Sequence, residues 1–414
     1  MPLLTWVRGL PRPVWVAVPI LLLALAIGAA ALALSTVRRQ AARATSSPSP
    51  SPSEALASPT PSESASPSPS PSPSPTSGAS AAPAPAPVTS RPAGPGCGQP
   101  AGGFPGCRLA ASTPVALAWS PDGRLFWAER SGAIKVFEGG GVRTFATVST
   151  VTTERGGGYS ERGLLGLAIS GSLVFAMYSN TDYATQSIVR WTDAGGAATA
   201  ATLIASGLPA GSDCCYKGGR LAISPDGHLF ATIGDNHDAP AAQVPGDLRG
   251  KVIRFNLDGS GRTIWTSGLR NPFGIAFAPD GRLFITSNGP SGDAGSPGTG
   301  YDTADLVQAG ANYQWPVCYG YSHPIGGGAC PAGSVGPDYS TEATTIVPTG
   351  ATWVTSGQYA GHFVFCSFAH DTMKVFLGPR QVQDGPTGCA LDVKQGPDGA
   401  LYFSDSGSIT RFAG

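Results

Sequence analysis

The sequence predicts an all-β protein, a six-bladed β-propeller, and three observations lead there. A strand–turn–strand unit built on Pro-Asp-Gly recurs about every fifty residues, glycine is abundant while charge is sparse, and no helical periodicity runs through the chain after residue 96. A ring of such units leaves only short, protected strand edges, which is how a long all-β chain manages them.

The repeat is clearest at residues 115–129, 221–233, 275–286 and 391–403. In each, apolar residues alternate on both sides of Pro-Asp-Gly. Proline presets φ at the second turn position and glycine supplies the positive φ that the reversal needs. Degenerate copies lie at residues 164–175 and 359–365, so turn centres fall near 122, 171, 226, 280, 361 and 398. Six units predict six four-stranded blades, with seven the competing count; the regular pairs disfavour a sandwich. A Gly-rich insertion at residues 291–336 delays the fifth unit.

Three segments follow from composition. Residues 14–34 carry no charge and are long enough to cross a bilayer as an apolar helix. Arg8 and Arg12 precede this run and Arg38, Arg39 and Arg43 follow it, which leaves its orientation open. Residues 1–44 are therefore expected to be a membrane anchor, or a signal segment cleaved near Ala33. Residues 45–96 are almost entirely Ser, Pro, Ala and Thr, which predicts a disordered stalk with almost nothing apolar to bury. Residues 97–414 form the propeller, and both N-terminal alternatives export it to the cell surface or medium.

Charge and cysteine usage narrow the classes further. The 26 basic and 26 acidic residues cancel, which removes the electrostatic footprint of nucleic-acid binding. All eight cysteines follow residue 96, as in an exported, disulfide-bonded domain. Proximity in sequence favours Cys97–Cys107, Cys318–Cys330 and Cys366–Cys389, whereas the adjacent Cys214 and Cys215 pair with each other or elsewhere.

Seven segments resemble, in order, the soluble glucose/sorbosone dehydrogenase family: residues 161–167, 217–235, 250–259, 268–274, 288–290, 310–316 and 396–402. The resemblance covers the whole predicted propeller. It implies a six-bladed ring that binds pyrroloquinoline quinone (PQQ) and calcium and oxidises an aldose or related alcohol. By that resemblance Arg270 and Asn271 contact the cofactor, the carbonyls of Gly289 and Pro290 ligate calcium, and Glu161 stands where the family has a Gln near the sugar. An Arg fork suits a tricarboxylate, and carbonyl oxygens suit a hard cation.

Three positions depart from the family pattern in ways that bear on the chemistry. Tyr216 occupies the place of the histidine base, and an ordinary tyrosine titrates near 10, far above a useful base. Cys389 and Leu391 replace two arginines that would neutralise the quinone's carboxylates. His237, on a loop after a strand, is the substitute base the sequence offers beside Tyr216. His228 is expected in solvent, and His323, His362 and His370 in surface or packing roles. Trp315 is expected to pack within a blade. The readings are a PQQ-dependent sugar dehydrogenase, a non-catalytic carbohydrate- or protein-binding propeller on a tethered stalk, and a calcium-dependent lactonase.

Overall fold

The computed structural model describes residues 107–413. The anchor, the stalk and Cys97 lie outside the described residues. Among the described residues no helix is long and apolar enough to cross a membrane.

Six antiparallel sheets follow one another around a ring. Blade one is Pro114–Trp119, Leu125–Glu129, Ala133–Glu138 and Gly141–Thr147. Blade two runs from Leu164–Ser170 to Thr202–Pro209, blade three from Gly218–Ile223 to Thr263–Thr266, and blade four from Asn271–Phe277 to Tyr339–Ser340. Blade five spans Pro348–Trp353 to Gln381–Thr387. Blade six takes Asp392–Gln395, Leu401–Ser404 and Ser408–Phe412 from the end of the chain, and its outer strand, Arg108–Ala110, from the beginning. That strand pairs antiparallel with the last one, Leu109 opposite Ile409, and closes the ring.

The predicted turn centres each separate the first and second strands of a blade. In the four Pro-Asp-Gly copies the glycine N–H donates to the carbonyl three residues back, as from Gly123 to Ser120 at 2.9 Å, with Gly123 at φ 86°. The Gly-rich insertion straddles the third strand of blade four, Thr303–Val307; the part after that strand carries a small hairpin, Cys318–Tyr319 with His323–Pro324, and the Cys318–Cys330 disulfide.

The core is not one mass but six seams, one between each pair of neighbouring blades. Phe126 and Val136 of blade one meet Leu164 and Trp191 of blade two. The last seam, Tyr402 and Ile409 against Leu117 and Trp127, joins blade six to blade one and includes Leu109 of the closing strand. Cys366–Cys389 bonds within the blade five–six seam. Cys107 is also disulfide-bonded.

The six inner strands line a central channel that is shut midway by charge. Arg220 pairs with Asp392 at 2.8 Å, donates to the Val115 carbonyl, and lies 5.1 Å from the centre of the Phe273 ring. Asp392 also accepts from the Leu117 amide at 2.7 Å and from Lys394 Nζ at 3.3 Å. One carboxylate thus ties blades one, three and six across the axis. Burial pushes both the Arg220 and Lys394 cations below their ordinary pKa values, and Asp392 opposes this.

Candidate functional site

All six inner strands begin at the same end of the channel, so the residues just before or at those starts gather there. Glu161, Tyr216, Arg270 and Asn271 meet at this upper mouth because they open blades two, three and four. Glu161 Oε2 accepts from the Tyr216 amide at 2.7 Å, with longer contacts of 3.4 Å from the Lys217 amide and from Asn271 Nδ2. Burial raises the pKa of this carboxyl, and the two amides work against the rise. Asn271 is buried and spans the junction. Its Oδ1 accepts from the Gly218 amide at 3.1 Å and its Nδ2 donates to Asn288 at 3.0 Å.

Arg270 is buried and fully engaged. Nε and Nη2 form a fork on Asp293 at 2.8 and 3.1 Å, Nη1 donates to the Gly289 carbonyl, and the Tyr216 ring centre lies 3.7 Å from the guanidinium. Although burial opposes it, this pairing holds the Asp293 carboxyl below its usual value. Gly289 donates its own amide to Asp302 at 2.7 Å, and Pro290 is buried beside it.

Tyr216 sits at φ 61° and lies between Arg270 and His237, whose ring centre is 4.1 Å from its own. His237 is exposed, with Nδ1 3.1 Å from Asp213, and it is not among the residues lining the upper pocket. Lys217 turns inward to the Ala210 carbonyl, where burial lowers its pKa to about 8. Trp315 packs in the interior and donates from Nε1 to Asp235 at 2.7 Å; burial lifts that carboxyl to about 6 despite the bond. Of the remaining histidines, His323 bonds Glu342 at 2.6 Å and His362 is buried. His228 is half-buried between Arg254 and Asp226 rather than in open solvent, because the neighbouring strand brings the Arg254 fork onto its ring.

The pocket at the upper mouth encloses about 310 Å³. Its walls include Val115, Leu165, Phe273, Phe368 and Leu391, with Glu161 as its acid. Arg130 is the one cation among the described lining residues, and its guanidinium already donates to the carbonyls of Arg162, Thr152 and Ser160. Sequence reasoning gave no role to Arg130 and Phe368, which carry no motif, or to Phe273, which lies within the 268–274 segment. It missed Asp293 as well, which lies inside the insertion.

These residues do not fit a tricarboxylate. Such a ligand needs free cations or donors for each carboxylate, whereas here the pocket offers a carboxylate and a single arginine whose Nε and Nη2 are already bonded to carbonyls. Arg270 is closed off by Asp293 and the Tyr216 ring. Calcium fits no better at Gly289, because the carbonyl that would ligate it holds a guanidinium of the same sign.

Residues 111–412 match the family model for glucose/sorbosone dehydrogenases. The chain is 29% identical over 262 residues to quinoprotein glucose dehydrogenase B of Acinetobacter calcoaceticus, covering 51% of this chain and 52% of that one. It is 28% identical over 217 residues to an aldose sugar dehydrogenase of Escherichia coli, covering 45% and 56%. The matches thus span about half the length of these curated relatives. Among solved structures, an oxidoreductase described as a glucose dehydrogenase from Thermus thermophilus superposes with TM-score 0.61 at 26% identity, over 74% of this chain and 100% of that one. The PQQ-bound aldose sugar dehydrogenase of Streptomyces coelicolor shares the fold at TM-score 0.57 and 22% identity, over 73% and 94%. The repeat, the ring and the family match agree: this chain belongs to the glucose/sorbosone dehydrogenase family, whose relatives here are sugar dehydrogenases.

Proposed function

We propose that this chain binds a neutral polyhydroxy ligand, a sugar or related alcohol, directly in the upper pocket with no quinone beneath it. The observation that carries this reading is the lining, which combines apolar and aromatic walls, one carboxylate and a single cation, Arg130, whose Nε and Nη2 are already committed to backbone carbonyls. Small-ligand pockets are mostly apolar with a few placed polar groups. A carboxylate accepts from hydroxyl groups, while Phe273 and Phe368 offer flat surfaces to the C–H face of a sugar ring. In this reading the N-terminal segment anchors or exports the chain, and the stalk holds the pocket away from the membrane.

A second reading, PQQ-dependent oxidation of an aldose, is favoured by one observation: Arg270 and Asn271, the residues the resemblance gives as cofactor contacts, stand together beside Glu161 and Asn288 of the pocket wall. One titration series separates the two. The chain is mixed with aldoses and polyols by calorimetry without cofactor, then with PQQ and calcium while tryptophan fluorescence is followed. The first reading expects saturable sugar binding that Glu161→Ala abolishes, and no PQQ binding at roughly 100 μM, which is weaker than about 5.5 kcal/mol. PQQ binding below about 10 μM, roughly 7 kcal/mol, with sugar-dependent dye reduction would replace it with the second.

A further inference from the structure

Cys214 and Cys215 are joined to each other, with Cα atoms 3.7 Å apart. One ligand atom from each, with a ring nitrogen of His237, lies within 4.8 Å of the others. Among the described residues, this is the one such cluster that could hold a metal ion.

Bonds that do not involve the disulfide hold both loops. Arg162 Nη2 donates to the carbonyls of Gly211 and Asp213 at 2.9 and 2.8 Å. The Cys214 carbonyl accepts from the Glu161 amide at 2.9 Å and from Ser160 Oγ at 3.2 Å. Across from them, Asp235 Oδ1 accepts from the His237 amide at 3.0 Å, and the Tyr216 ring packs edge-on against the imidazole. Opening the S–S bond therefore removes none of the contacts that bring these two loops together.

We propose that, once reduced, Cys214, Cys215 and His237 form a binding site for one soft metal ion. A dithiol reductant delivers two electrons and two protons to the S–S bond and leaves as its own cyclic disulfide. A divalent ion then displaces the two thiol protons and takes two thiolates and one imidazole nitrogen, with a fourth position open to solvent. Thiolate and imidazole together select zinc or cadmium over magnesium or calcium. Asp213 lies 3.1 Å from Nδ1, which leaves Nε2 as the nitrogen for the metal. The disulfide form lacks thiolates, so metal affinity is gated by redox state.

The test uses the full chain, reduced with dithiothreitol, desalted without oxygen and titrated with cadmium chloride. Sulfur-to-cadmium charge-transfer absorbance reports binding, and alkylation with mass spectrometry reports which cysteines are open. The expected result is one cadmium per chain in the reduced form and none in the oxidised form. The signal is lost in the Cys214→Ser/Cys215→Ser double variant, and affinity falls at least tenfold in His237→Ala. Asp213→Asn weakens binding about tenfold while keeping one ion per chain. Equal binding by the double variant, an unchanged affinity in His237→Ala, or no uptake by reduced, folded chain would overturn the proposal. Loss of circular dichroism when this pair alone is opened would overturn it as well, since thiols and imidazole would then not meet.

Discussion

Replacing Asp392 by alanine removes the one carboxylate that faces Arg220 and Lys394 inside the channel. The side chains of Asp392 and Arg220 are only 1% and 5% exposed, so water cannot take over the role. Breaking a buried pair by deleting one partner costs about 3–5 kcal/mol, because the other charge stays buried and uncompensated. Unfolding entropy near the midpoint is about 2.1 cal/mol/K per residue, or roughly 0.6 kcal/mol/K for a propeller of this size. The apparent melting temperature should therefore fall by about 5–8 °C, read by far-ultraviolet circular dichroism at one scan rate, pH 7, disulfides intact. A companion variant, Arg220→Met/Asp392→Leu/Lys394→Met, replaces the network by apolar side chains and should recover most of the loss, since buried ion networks rarely outperform apolar packing. A single variant within about 1 °C of the parent, or a triple variant no better than the single, would refute the claim that this carboxylate compensates the buried Arg220 and the half-buried Lys394.

Three further outcomes follow from the same geometry. Gly350→Ala should destabilise by about 1–3 kcal/mol in the same scan, because an added Cβ would strike Asp392 and lie 2.7 Å from Arg220 Nη2. Burial raises the Asp305 carboxyl from its ordinary 3.8 to about 7, despite a bond from Thr303. The stability this group contributes is full below about pH 4 and is lost as pH rises through about 7. Asp305→Asn, always neutral, should flatten the fall in urea midpoint between pH 4.5 and 7.5, and an unchanged slope would count against it. Sugar affinity should drop on acidification, with a midpoint above the usual carboxylate range, as the raised Glu161 carboxyl takes up its proton. A hydrogen bond to a charged group is worth about 1.5–3 kcal/mol, so calorimetry should read a loss of about ten- to a hundredfold.

The ring was legible because its signals are local: each Pro-Asp-Gly turn announces its own hairpin within thirteen or so residues. Cys318–Cys330 and Cys366–Cys389 were legible for the same reason. The upper mouth was half legible, since Glu161, Tyr216, Arg270 and Asn271 each stand at the start of an inner strand. What each one touches was not. Arg220 and Asp392 are 172 positions apart and meet only because the ring closes. The fork of Arg270 on Asp293 depends on how a Gly-rich insertion folds back, and such segments carry no periodicity. Tyr216 reads from sequence as a failed base, yet its placement against Arg270 follows from a positive φ that no local pattern requires.

The closing strand also sets a timetable for synthesis. Its partner, Ser408–Phe412, is the last strand of the ring to be made, about three hundred residues after Arg108. At about 5–20 residues per second, the first strand waits roughly 15–60 s for its mate. Through that interval five blades can form while the seam between the sixth and the first stays open, with Leu117 and Trp127 uncovered. The nascent chain is thus an open arc with two exposed ends until Ser408–Phe412 has been made. A truncation of only the last strand should leave that arc permanently unsealed and prone to join a second copy of itself.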